Sequence, residues 1–172
     1  GCEGRSELAY GAWLHEIADT IENLYIHINS YLPSTGGGDP LYLVEQCVAE
    51  IQRKEMQLGE YDWRGILLDG EHLNQNHNRS QTASALARQN EITLIFQNPN
   101  HECFLLHHLP GQESRNPPAN RCLTELKTVW PEYEKPMTRQ DLNRTLNLDS
   151  LQRICTVEPD LRTFLQAIGF PV

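Results

Sequence analysis

No uninterrupted apolar stretch in this chain approaches the roughly 20 residues that a membrane-spanning helix requires. The most apolar runs are residues 92–96 and 103–106, so no crossing of a bilayer is expected. Cations are sparse, 14 Lys and Arg against 23 Asp and Glu, and they form no cluster. Backbone phosphates are bound chiefly by grouped cations, so neither nucleic acid nor an anionic membrane is expected as a partner. The net charge of −9 is equally scattered and serves solubility. The five cysteines, Cys2, Cys47, Cys103, Cys122 and Cys155, include no C-x-x-C pair. Free thiols in a reducing cytoplasm follow, and the sequons at Asn78 and Asn143 do not change that expectation. The patterns G-x-S-x-G, H-E-x-x-H, Walker A and G-x-G-x-x-G are all missing, which removes the common motif-bearing enzymes. The chain opens on Gly1-Cys2 without a Met, as expected of a processed product or a part of a larger protein.

What is present is ordinary globular material: 172 residues, 39% hydrophobic and 22% charged, enough for one well-formed core and a single domain over 1–172. Tyr10, Leu14, Ile17, Ile21, Leu24, Ile28 and Tyr31 recur at steps of four and three, which predicts one amphipathic helix over 10–31. A Pro- and Gly-rich turn at 33–38 follows. Asp39 as N-cap and Pro40 then open a second helix that Gly59 ends. The two should pack as an antiparallel helical hairpin over 6–58. Residues 61–109 read as the central sheet. A short β-hairpin is expected around Asp69-Gly70, a polar loop over 74–79, and a helix capped by Ser80. Two further strands, 92–96 and 101–109, should flank a turn at 97–100. Residues 110–118, bounded by prolines, read as a mobile or recognition loop. Residues 119–170 are helical again: Asn120 caps one helix that stops at Trp130-Pro131, Thr138 and Asp141 form a capping box, and Pro159 opens the last helix. The expected architecture is α+β, with the N-terminal helical hairpin and C-terminal short helices packed around a small, mostly antiparallel sheet.

Four constellations invite chemistry. If 101–109 is a strand, His101, Cys103 and His107 share one face and Glu102 and His108 the other, with His72 or His77 able to join them around zinc. The short ligand loops that make zinc signatures specific are missing, so surface imidazoles and a core thiol explain this strand better, and no metal or cofactor is expected. Cys122 lies just inside a helix N-terminus, where the dipole lowers a thiol pKa, and His107 or His108 could serve as its base, with Asp141 or Glu125 as orienter. Glu71 beside His72 resembles an acid/base pair, but neighbours on a strand face opposite ways. Tyr61, Trp63, Arg115, Trp130 and Tyr133 sit beside Pro or Gly at element boundaries and in the polar loop, where they could bind a partner. The leading expectation is a non-catalytic protein-interaction or regulatory domain whose partner is another protein. The alternative is a small cysteine-dependent hydrolase using Cys122 with His107 or His108.

Overall fold

The computed structural model describes residues 1–33, 38–71 and 77–172. The elements run α1 (Arg5–Asp19), α2 (Pro40–Leu58), β1 (Arg64–Asp69), α3 (His77–Gln89), β2 (Ile92–Gln97), α4 (His101–His107), α5 (Ala119–Val129), α6 (Arg139–Thr145), α7 (Leu148–Ile154) and α8 (Pro159–Ala167). The described residues are thus mostly helical, with two short strands. β1 and β2 pair in parallel, from Arg64 beside Ile92 to Asp69 beside Gln97. This overturns the expected antiparallel sheet, although the overall character remains α+β. The physical reason is connectivity: parallel neighbours need a crossover of a dozen or more residues, and α3 supplies it. Among the described residues β1 has no hairpin partner after Asp69-Gly70 and pairs instead with β2 beyond that crossover.

The supposed second strand at 101–109 is helix α4. The Asn100 side chain accepts a hydrogen bond from the Cys103 amide at 3.3 Å and caps it. Residues 101–109 are buried without interruption, so a side chain on any face meets protein, and no periodicity distinguishes strand from helix there. Residues 77–79, expected in a loop, form the first turn of α3; residues 72–76 and the glycines at 36–37 lie outside the described residues.

The sheet is covered on both faces. Ile66, Leu68 and Ile92 join Leu43, Val44 and Cys47 of α2 and Ala83 and Ala87 of α3 in one core. Leu67 and its register neighbour Ile95 join Tyr10, Trp13 and Leu14 of α1, Phe104 to Leu106 of α4 and the C-terminal helices in the other. Each fully buried Leu or Ile contributes about 1.5–3 kcal/mol, and these layers fix the strands between them. α2 forms as the sequence dictates: Asp39 accepts from Leu41 N at 3.1 Å, and Gly59 ends the helix at φ 93°. Yet α2 packs on α3 and β1 while α1 packs on α6, so the antiparallel helical hairpin does not form.

Helix α1 ends well short of residue 31. The Thr20 hydroxyl donates to Ile17 O at 2.7 Å, Asn23 adopts φ 65°, and a segment that is neither helix nor strand follows. There Ile26 and Ile28 are half-buried against the larger core while Tyr25, His27 and Asn29 are exposed, a period of two. Residues 1–3 run along the free edge of β1. Gly1 N donates to Gly65 O at 2.6 Å, Leu67 N donates to Gly1 O at 3.0 Å, and Asp69 N donates to Glu3 Oε2 at 3.1 Å. Among the described residues no helix is long and apolar enough to cross a membrane.

Candidate functional site

Both strands deliver their carboxyl ends to the same place, the edge where open α/β sheets bind ligands. Asp69 is the last residue of β1 and Gln97, its register partner, the last of β2. The turns that follow are locked together: Glu71 N donates to Pro99 O at 2.9 Å. A methyl group on Gly70 would lie 2.2 Å from Asn98 Oδ1 and 3.2 Å from Gln97 O, so any larger residue would have to displace the Asn98 side chain. Glu3 reaches the same edge, its two oxygens accepting from Asp69 N and from Gly38 N, the latter at 2.8 Å. Glu7, buried in the first turn of α1, and Glu102, buried in the first turn of α4, close the group.

The electrostatics of this edge are those of crowded like charge. Burial, together with Glu3, Glu7 and Glu102, pushes the Asp69 carboxyl up from 3.8 to about 8. The His101 backbone N–H supports this carboxyl, yet Asp69 Oδ1 is buried without a hydrogen-bond partner. Glu102 is relieved by Lys135, whose Nζ lies 2.6 Å from Glu102 Oε1, and by the Tyr133 hydroxyl, which donates to that oxygen at 3.3 Å. Burial raises the Glu102 carboxyl, but the Lys135 ammonium outweighs it and the net displacement is downward. Two more orphaned atoms lie beside Asp69. The Gln97 amide nitrogen donates to His101 Nδ1 at 2.8 Å, and burial keeps His101 neutral. Its proton therefore sits on Nε2, which has no partner, and neither has Gln97 Oε1, although both residues are at least 99% buried. Among the described residues no three His, Cys, Asp or Glu side chains form a preassembled metal cage.

Among the described residues no hydrogen bond joins Cys122 to a histidine. Its thiol donates to the carbonyls of Pro117 and Pro118 at 3.5 Å each and sits beside Cys103, and burial raises its pKa. Cys122 lies inside α5, which starts at Ala119 behind Pro118 and not at an Asn120 cap. His107 Nε2 faces Cys103 Sγ at 3.6 Å and the Arg115 carbonyl at 2.8 Å, and Nδ1 faces Glu158 Oε1 at 2.8 Å. A carbonyl and a carboxylate can only accept, so both ring nitrogens carry protons and His107 is an imidazolium. Burial lowers its pKa, but Glu158 and the Arg115 carbonyl raise it further, to a net increase. A protonated imidazole takes no proton from a thiol, and burial pushes the Cys103 thiol itself up to about 12. His108 is fully buried between the Tyr10 hydroxyl at 3.0 Å and Ser150 O at 3.1 Å, and burial drives its pKa down to about 3.

Trp130 and Tyr133 are buried and pack against each other at 5.8 Å in the larger core. Trp63 is exposed and Tyr61 half-buried ahead of β1. The Arg115 guanidinium is held by Gln112 and Glu125. His77 is exposed on α3 beside Gln81 at 2.9 Å, and His72 lies outside the described residues. Sequence reasoning named Glu102 only within the supposed metal-binding strand and Asp69 only as a turn residue, and passed over Glu3, Glu7 and Lys135. The one local signal was a carboxylate closing a wholly apolar strand before glycine, at Leu67-Leu68-Asp69-Gly70.

No curated protein and no solved structure matches the chain. A family model, RloB-like protein, matches residues 1–160, a span that holds every carboxylate of the acidic edge together with Lys135, and the chain belongs to that family.

Proposed function

We propose that this member of the RloB-like family binds a divalent, oxygen-seeking cation at the carboxyl edge of its β-α-β unit and uses it to act on a phosphate ester. One observation carries the reading: Asp69 Oδ1 is buried and unpartnered among Glu3, Glu7 and Glu102. A carboxylate so placed is stable only when protonated or when a cation neutralises it. Lys135 is already bonded to Glu102. Asp69 and Glu7 would hold the ion, with Glu102 at their side, while Glu3 fixes the peptide from which Asp69 projects. An all-carboxylate set suits a hard ion such as Mg2+ or Mn2+ over zinc. Mg2+ is commonly held by one or two carboxylates and completed by substrate phosphate oxygens, so it does not require a cage of three protein ligands. When bound, such an ion supplies Lewis acidity and a water of lowered pKa. The scattered cations favour a small phosphate ester over a nucleic-acid duplex. The five free, buried thiols support a reducing, cytoplasmic setting. The test is hydrolysis of bis(4-nitrophenyl) phosphate by the full chain. Activity that requires Mg2+ or Mn2+, disappears with EDTA and falls roughly tenfold or more in Asp69→Asn is expected. Metal-independent turnover, or full activity in that variant, contradicts the reading.

A specific observation also favours a protein-interaction surface as a second reading. Met56 is 82%, Leu58 66% and Trp63 55% exposed, and the three follow one another around the end of α2 and the entry to β1. Apolar groups so displayed are typical of contact sites. A photo-crosslinker at Trp63 should then give one defined protein adduct in cells that Met56→Ser weakens; no adduct, or one unchanged by that substitution, counts against it.

A further inference from the structure

We infer that Lys135 is the resident counter-cation of the acidic edge, and that a divalent ion enters by displacing its ammonium group from Glu102. The inference rests on the proposed function and adds how the site is kept closed before loading. Three features of the geometry carry it.

The first is who can move. Glu102 projects from the first turn of α4, and its side chain is 8% exposed, so it has nowhere to go. Lys135 stands on a non-helical segment between α5 and α6, and its side chain is 59% exposed, so release into solvent costs little packing.

The second is what Lys135 neutralises. Its Nζ bonds to Glu102 Oε1 at 2.6 Å and also feels Glu7 and Asp69. A single ammonium is thus bonded to Glu102, with Glu7 and the Asp69 carboxyl within its electrostatic reach. A dication offers each of them a stronger partner, and two cations do not share one buried carboxylate without repulsion.

The third is what holds the carboxylate when the lysine leaves. The Tyr133 hydroxyl donates to the same Glu102 oxygen at 3.3 Å and belongs to a fully buried ring. Glu102 therefore keeps its orientation during the exchange. The segment is anchored independently, since Met137 N donates to Ser6 Oγ at 3.3 Å. Gln97 Oε1 at the end of β2 and His101 Nε2 at the start of α4 are likewise buried without a partner.

Two readouts besides activity test the exchange on the full chain. The first is the rate at which Lys135 is acylated by acetic anhydride, followed by peptide mass spectrometry with and without Mg2+. Mg2+ is expected to raise the Lys135 rate several-fold and leave the exposed Lys127 unchanged, whereas a Lys135 rate that is unchanged or slower overturns the inference. Glu102→Gln removes the pairing, so in this variant Lys135 should react quickly whether or not Mg2+ is present; slow labelling there also overturns it. The second readout is Mn2+ affinity. Lys135→Met should bind Mn2+ about tenfold more tightly than the wild type, because the competing cation is gone, and Lys135→Arg should stay near the wild type. Equal or weaker binding by Lys135→Met contradicts the exchange. Failure of the wild type itself to bind Mn2+ sinks the proposed function instead, so the two failures are distinguishable.

Discussion

The Asp69 carboxyl keeps its proton in the metal-free fold up to about pH 8, whereas in the unfolded chain it gives it up near 3.8. Between those values the folded state binds more protons than the unfolded state, so stability attributable to Asp69 falls as pH rises across that window. Asp69→Asn removes the titration. With EDTA present, the variant should gain stability relative to the wild type from pH 4 to pH 8, read by urea unfolding. A constant difference across that range would show that Asp69 titrates as an ordinary surface acid. His107 works in the opposite sense. Its pKa in the fold lies above the ordinary value of 6.5, so its ion pair with Glu158 stabilises fully below about 6.5 and fades as pH rises through the folded value. Losing one partner of a buried pair costs about 3–5 kcal/mol. His107→Gln should therefore destabilise the protein most at acidic pH, and the deficit should shrink toward alkaline pH. A deficit that grows with pH would show that His107 is neutral in the fold.

At the scale of elements, some signals were legible because the chain states them locally. Asp39-Pro40 before α2, Gly59 after it, the Thr138 and Asp141 capping box of α6 and Pro159 at the start of α8 all act where the sequence places them. Signals that rest on periodicity were less reliable. The spacing that suggested one helix to residue 31 continues by coincidence into a segment that is neither helix nor strand, where burial alternates with a period of two at Ile26 and Ile28. The run 101–109 is apolar or buried on every face, so its pattern could not separate strand from helix; the cap at Asn100 could have, since an Asn ahead of a short apolar run is an N-cap signature. Asn100→Ala should then cost about 1 kcal/mol, a typical loss for an N-cap. A chemical-denaturation midpoint unchanged by this substitution would mean that packing alone holds α4.

Across the whole molecule, what escaped sequence reasoning is convergence. Glu3 and Glu7, Asp69, Glu102 and Lys135 come from four separate stretches, and no single window contains more than two of them. Only the parallel register of β1 and β2, with residues 1–3 along the free edge and α4 starting just after β2, brings them to one place. Thiols and imidazoles were legible as residue types, but their surroundings were not: Cys103, Cys122 and His108 are buried, which raises the two thiol pKa values and lowers that of the imidazole. The acidic edge is the opposite case: commonplace residues made unusual by where the fold collects them. The most direct measurement of this account is the free Mn2+ signal in an electron paramagnetic resonance titration of the wild type and Asp69→Asn. Depletion of the signal by the wild type with one-to-one stoichiometry, and affinity roughly tenfold weaker or worse in the variant, is the predicted result. Equal titration curves for the two proteins would contradict it.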